Sequence, residues 1–155
     1  MNHNLQRFNV RVYGLLMNDC EQILVADEVF KNGNRATKFP GGGLELGEGT
    51  REGLAREFKE ETGIEVVIKE HFYTTDFFQK SYFDTESQII SIYYKVESTD
   101  WRHITVSDKK FDFTVKVGEE AESFRWVAIR NLSEEKEISL PIDQAVVAKL
   151  MNEYN

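Results

Sequence analysis

The chain has 155 residues, 41% of them hydrophobic and 30% charged, which is enough to bury a core and too apolar for disorder. A formal net charge of −8 argues against broad, sequence-independent binding to a nucleic-acid polymer, although a divalent cation can still bring a small anion to an acidic surface. One cysteine, Cys20, excludes an intramolecular disulfide, and no apolar run reaches membrane-spanning length. With no signal-peptide layout either, the expectation is one cytoplasmic domain over residues 1–155 with no membrane partner.

In chain order, residues 8–17 and 22–26 read as strands joined by a turn at Asn18-Asp19-Cys20-Glu21, with the thiol packed or beside the turn. Asn32-Gly33-Asn34 is a second turn, and residues 35–39 are a short strand. Residues 50–62 read as a helix with Gly63 as its stop. Residues 64–69, 72–78 and 89–96 are rich in branched and aromatic side chains and read as three strands, with a polar loop at 79–87. Residues 101–117 have no clear period, and Lys109-Lys110 marks a turn among them. A strand is expected over 123–129, a charged turn or short helix over 131–137, and a closing helix over 142–153 with Pro141 near its first turn. Helices separated by many strands predict a mixed α/β layered domain with the sheet in the middle.

The stretch Phe39-Pro40-Gly41-Gly42-Gly43 and the helix after it carry the chemistry. At 100° per residue, Glu57, Glu60 and Glu61 fall within an arc of about 100°, beside an apolar stripe of Leu54 and Phe58. Such a face can be a solvated surface of mixed charge. Three consecutive glycines, however, are not needed to begin a surface helix; they let backbone approach a ligand or metal closely. Glu48 adds a fourth carboxylate from the loop. Clustered carboxylate oxygens suit a hard cation such as Mg²⁺, with Mn²⁺ as a substitute, and Mg²⁺ shares its coordination with substrate phosphates.

Gly42, Glu48, Arg56-Glu57-Phe58, Glu60-Glu61 and Gly63-Ile64 match all nine specified positions of the pattern G-x5-E-x7-R-E-U-x-E-E-x-G-U, where U is apolar. In this the chain resembles the Nudix (MutT-like) hydrolases, with the box at residues 42–64, and the resemblance implies their α+β fold, an α/β/α sandwich with a mixed central sheet and flanking helices. The resemblance implies a loop-helix-loop that binds divalent cations and hydrolyses a nucleoside diphosphate linked to another moiety. It implies Glu57, Glu60 and Glu61 as metal-site carboxylates, Arg56 as the group that orients one of them, and Glu48 as a support of the loop. Gly41, Gly42 and Gly43 would bring backbone to the substrate or complete a coordination sphere.

The general base is sometimes on the family's helix, where Glu57 is the candidate. Elsewhere it is a glutamate in the loop before a tryptophan-bearing strand. Here Glu119, Glu120 and Glu122 precede Trp126, and Glu120 is favoured. A nucleobase needs a flat apolar face; Phe77, Phe78, Tyr82, Phe83 and Trp101 are candidates, with Phe77 and Tyr82 preferred. Family members that cleave ADP-ribose often carry a proline about fifteen residues past the box, and none is present here. His3, His71 and His103 show no metal-ligand spacing. The expected partner is a small nucleotide, and many members of the family are dimers, so a homodimer is admitted. The rival readings are a non-catalytic module of the same fold that binds a nucleotide or sugar nucleotide, and an acidic scaffold with no metal site.

Overall fold

Two of the strands carry nearly unbroken apolar runs because both of their faces are covered. A computed structural model describes residues 4–134 and 137–154. β1 (Arg7–Leu16) and β2 (Gln22–Val29) each divide their side chains between two cores by simple alternation. Tyr13, Leu15, Ile23 and Val25 face one core, and Val12, Leu16, Leu24 and Ala26 face the other. The remaining elements are β3 (Arg35–Lys38), β4 (Gly41–Gly43), α1 (Thr50–Thr62), β5 (Val67–Thr74), β6 (Ser87–Glu97), β7 (Ala121–Ala128) and α2 (Pro141–Tyr154). Short 3₁₀ turns lie at Trp101–His103 and Ile129–Asn131.

The strands form two sheets rather than one. The first has order β4-β1-β6-β5 and is mixed, with β1 parallel to β6 and the other neighbours antiparallel. The second, β3-β2-β7, is antiparallel throughout. α1 buries Leu54 and Phe58 on one face, and α2 buries Ile142, Val146, Val147 and Leu150 on the other. This is the expected sandwich of helix, sheet and helix. The bulk of Phe58 is accommodated because β1 has Gly14 beneath it, where a Cβ would collide with the ring.

Three further expectations change. The strands anticipated at 64–69 and 72–78 are one strand, β5, whose register against β6 shifts twice, between Ile68 and His71 and between His71 and Tyr73. Those irregularities carry the strand across Glu70-His71, which the two expected strands leave between them, and β5 ends at Thr74 rather than at 78. The glycine run is not a free loop: Gly41, Gly42 and Gly43 pair with Tyr13, Val12 and Arg11 as an edge strand. β2 also runs three residues past its expected end, to Val29. The anticipated turn or short helix at 131–137 includes residues 135 and 136, which lie outside the described residues, as does His3. Cys20 is exposed in the β1–β2 turn.

Candidate active site

α1 begins at Gly49, whose N–H donates to Glu52 Oε1 at 3.3 Å. It ends at Gly63, whose left-handed φ of 79° lets its N–H reach the Lys59 carbonyl at 3.1 Å. Its first turn is tied to the sheet by the Thr50 and Tyr94 hydroxyls at 2.7 Å and by Arg51, which donates to the carbonyls of Ile68 and Lys69. The helix is therefore capped at its C-terminal end and tied to the sheet through its first turn.

That face is organised by Arg56. Its Nε and Nη2 donate to the two oxygens of Glu48 at 2.9 and 2.7 Å, a two-point pairing that leaves no rotational freedom. Nη2 also donates to the Gly43 carbonyl at 3.1 Å, and Nη1 to Glu57 Oε1 at 3.1 Å and Glu60 Oε2 at 3.2 Å. One guanidinium thus links the loop glutamate, the glycine strand and two helix carboxylates. The Arg56 hydrogen bonds and the Glu45 N–H hold Glu48 down to about 2, so it is ionised at any ordinary pH. Glu57 is pressed against the glycine strand, where a Cβ on Gly42 would sit 2.5–2.6 Å from its carboxylate atoms. Glycine is the one residue that leaves room for Glu57 there.

Glu61 turns the other way, toward the second sheet. Its Oε2 is buried without a hydrogen-bond partner. Around it stand Lys38 on β3, Glu28 on β2 and Glu122 on β7; Glu28 and Glu122 are direct cross-strand partners. Lys38 is 2% exposed, with Nζ 3.2 Å from Glu28 Oε2, and these neighbouring carboxylates outweigh burial and keep it protonated. Burial and the neighbouring carboxylates push Glu61 and Glu122 upward against the pull of Lys38. Burial likewise raises Glu57, opposed by Arg56. A cavity of about 440 Å³ opens beside them, lined by Glu61, Glu122, Ser107 and Asp112 among others.

Three acidic or imidazole groups do not already converge on one point among the described residues. Glu57 and Glu60 lean on Arg56 while Glu61 points into the sheet. The donor chemistry nevertheless fits a hard cation: oxygens only, one of them buried and unpartnered, beside a backbone that a side chain would block.

The other anticipated residues divide. Glu120 is exposed and lies just before β7, and Glu119 uses its carboxylate on the Lys116 N–H. Of the three glutamates before Trp126, the structure brings Glu122 to the carboxylate cluster. Phe77 is 40% exposed in the segment after β5. Tyr82 is half-buried against the α2-side core, with its hydroxyl buried and unpartnered. Trp101 packs edge-on against Trp126, 5.6 Å between centroids, in the α1-side core. Sequence reasoning missed Lys38 and Glu28, which reach the site from strands separate from the helix.

A model of the NUDIX domain matches residues 7–149. The chain belongs to the Nudix family. As a Nudix hydrolase it falls in a class that cleaves nucleoside diphosphate derivatives. Similar solved structures include a MutT protein from Methanosarcina mazei Go1, 23% identical over 97% of both chains with a TM-score of 0.67. The ORF135 protein of E. coli is 19% identical over 97% of this chain and 92% of its own, with a TM-score of 0.66. A NUDIX hydrolase from Nitrosomonas europaea is 18% identical, covering 94% and 90%, with a TM-score of 0.63. At these identities the likeness speaks for the fold. No curated protein matches the chain. No helix among the described residues is long and apolar enough to cross a membrane.

Proposed function

We propose that the protein is a Mg²⁺-dependent pyrophosphohydrolase, with Mn²⁺ as a substitute, that cleaves the diphosphate link of a nucleoside triphosphate or a related nucleoside diphosphate derivative. The observation that carries this reading is that, one turn apart on α1, Glu57 is pressed on side-chain-free Gly42 and Glu61 keeps an inner oxygen buried and unpartnered, each within the field of the other. Glu57, Glu60 and Glu61 would hold the cation. Bound there, it would neutralise phosphate charge and acidify a water.

The chain's own residues supply the rest. Arg56 fixes the carboxylates and pins the loop through Glu48. The glycine strand lets the diphosphate approach backbone. Glu57 remains the candidate base on the helix, and Glu122 is the candidate outside it, because it faces the cluster and Glu120 does not. A carboxylate oxygen would accept the proton of the attacking water. Phe77 and Phe78 offer exposed apolar faces to a base, with Tyr82 half-buried and edge-on to Phe83.

The test is phosphate and pyrophosphate release with Mg²⁺ over nucleoside triphosphates, sugar nucleotides, ADP-ribose and dinucleoside polyphosphates, run beside Glu57→Gln and Glu60→Gln. We expect metal-dependent turnover that both variants reduce by at least about a hundredfold. Release that persists in the presence of a chelator, or that both variants retain, would sink the proposal.

A further inference from the structure

The face of β4 opposite Glu57 holds a cation that the arrangement above does not use. Arg11 on β1 is the direct cross-strand partner of Gly43, and a Cβ built on Gly43 would lie 3.7 Å from Arg11 Nη1. The guanidinium lies over the ring of Phe83, 4.3 Å from its centroid, and Nε donates to the Tyr13 hydroxyl at 2.6 Å. Phe83 is in turn braced edge-on by Phe30, with 5.2 Å between centroids. The plane of the guanidinium is thus set by one hydrogen bond and one aromatic face.

Among the described residues, nothing accepts a hydrogen bond from the two Nη groups. Arg11 is half-buried, yet among the described residues no carboxylate stands within ion-pair distance of it. The acids of the neighbouring loop, Asp84 and Glu86, are paired with Arg7 instead. Glu57 and Glu28 act on Arg11 only through their fields. A half-buried, pre-oriented guanidinium with vacant donors is a poor structural element and a good anion fork.

We infer that Arg11 is a substrate-binding residue whose Nη groups donate to a phosphate oxygen of the substrate as it crosses the open edge of β4. The inference rests on the proposed diphosphate hydrolysis. Only bare glycine backbone separates Arg11 from the Glu57 face, and β4 is the outermost strand of its sheet. A diphosphate lying across that edge meets cation-binding carboxylates on one side and the Arg11 fork on the other. The contact exists before and during bond cleavage, so it lowers KM and leaves kcat nearly unchanged.

The experiment compares wild type, Arg11→Met and Arg11→Lys on the best-cleaved nucleoside triphosphate and the best-cleaved sugar nucleotide. Arg11→Met keeps a flexible apolar stem against Phe83 and removes the charge. We expect its KM to rise about ten- to a hundredfold, with kcat within about threefold and an unchanged melting temperature. Arg11→Lys keeps the charge without the fork and should fall between. A rise for both substrates places the contact on the shared diphosphate, and a rise for the triphosphate alone places it on the terminal phosphate. Wild-type KM in both variants overturns the inference, as does a lowered melting temperature with KM unchanged. Should Arg11→Met fail to fold, Arg11→Lys decides by the same criterion. Inorganic pyrophosphate binding with Mg²⁺, measured by calorimetry, needs no turnover. An inactive wild type would therefore count against the hydrolase reading, while equal pyrophosphate affinity in wild type and variant would overturn the role of Arg11.

Discussion

Gly42 shows how one missing side chain can decide the chemistry of a site. A Cβ at that position would push into the Glu57 carboxylate at 2.5–2.6 Å, and Glu57 cannot retreat without losing its hydrogen bond from Arg56. Gly42→Ala should therefore displace a reacting group by a fraction of an ångström while leaving both cores intact. We expect kcat/KM to fall by about a hundredfold with little change in unfolding free energy, measured by steady-state kinetics beside urea denaturation. A fall in stability with activity retained would place the role of Gly42 in the fold instead. Arg56 makes the complementary case. Its five contacts depend on a planar fork, so Arg56→Lys keeps the charge and loses the simultaneous hold on Glu48 and Gly43. The expected loss is about ten- to a hundredfold in metal affinity, read by titrating Mg²⁺ against turnover.

Among the elements, α1 depends on one shape match. Phe58 is fully buried and sits where β1 has no side chain, so Phe58 and Gly14 form a pair across the helix–sheet interface. Phe58→Ala should cost about 3–5 kcal/mol in denaturant unfolding. Gly14→Ala should destabilise wild type by overpacking and do so less in a Phe58→Leu background, where the ring is gone; strictly additive losses would show that the two do not touch. α1 was legible in the sequence because every signal it needs is local: an apolar stripe, a stop glycine, and carboxylates three and four residues apart. β4 was not, since glycine is a poor strand former and only the pairing with β1 makes it one. The cluster of Glu28, Lys38 and Glu122 was invisible for a related reason. It is assembled from three strands by register, Glu28 opposite Glu122 and Ala26 opposite Lys38, and register is a long-range property. Glu120 and Glu122 differ only in position: pairing of β7 with β2 begins at Ala121, so Glu120 has no strand opposite it and Glu122 does.

For the whole molecule, a net charge of −8 and several buried acids make stability depend on pH and on divalent cations in opposite ways. Burial raises Glu57, Glu61, Glu122 and Asp143; Asp143 reaches about 6, even though Tyr93 donates to it and Lys38 lies near. An acid whose pKa is raised on folding binds its proton more tightly in the folded state, so ionisation costs stability. For Asp143 the cost is absent below the unfolded value near 3.8, grows through about 6, and reaches roughly 3 kcal/mol at neutral pH. Asp27 has the opposite sign. Burial would raise it, but hydrogen bonds from Arg125 at 2.6 and 3.0 Å, Thr37 at 2.7 Å and the Phe111 N–H at 3.2 Å overcome that and lower it. Its contribution is present above 3.8 and is lost as pH falls through the lower folded value. Without divalent cations, the melting temperature should therefore rise as pH falls from 8 to about 5, then drop below about 4 as Asp27 is protonated. Asp143→Asn should be more stable than wild type at pH 7.5, by a margin that shrinks as pH falls through about 6 and closes near 4, because the variant has no ionisation to pay for. Mg²⁺ should stabilise wild type most at pH 7.5 and least near pH 5, where protons compete for the same carboxylates. Thermal unfolding over pH 2.5–8, with Mg²⁺ and with a chelator, checks both signs; a Mg²⁺ effect that does not weaken toward pH 5 would mean that these buried carboxylates are not where the cation binds.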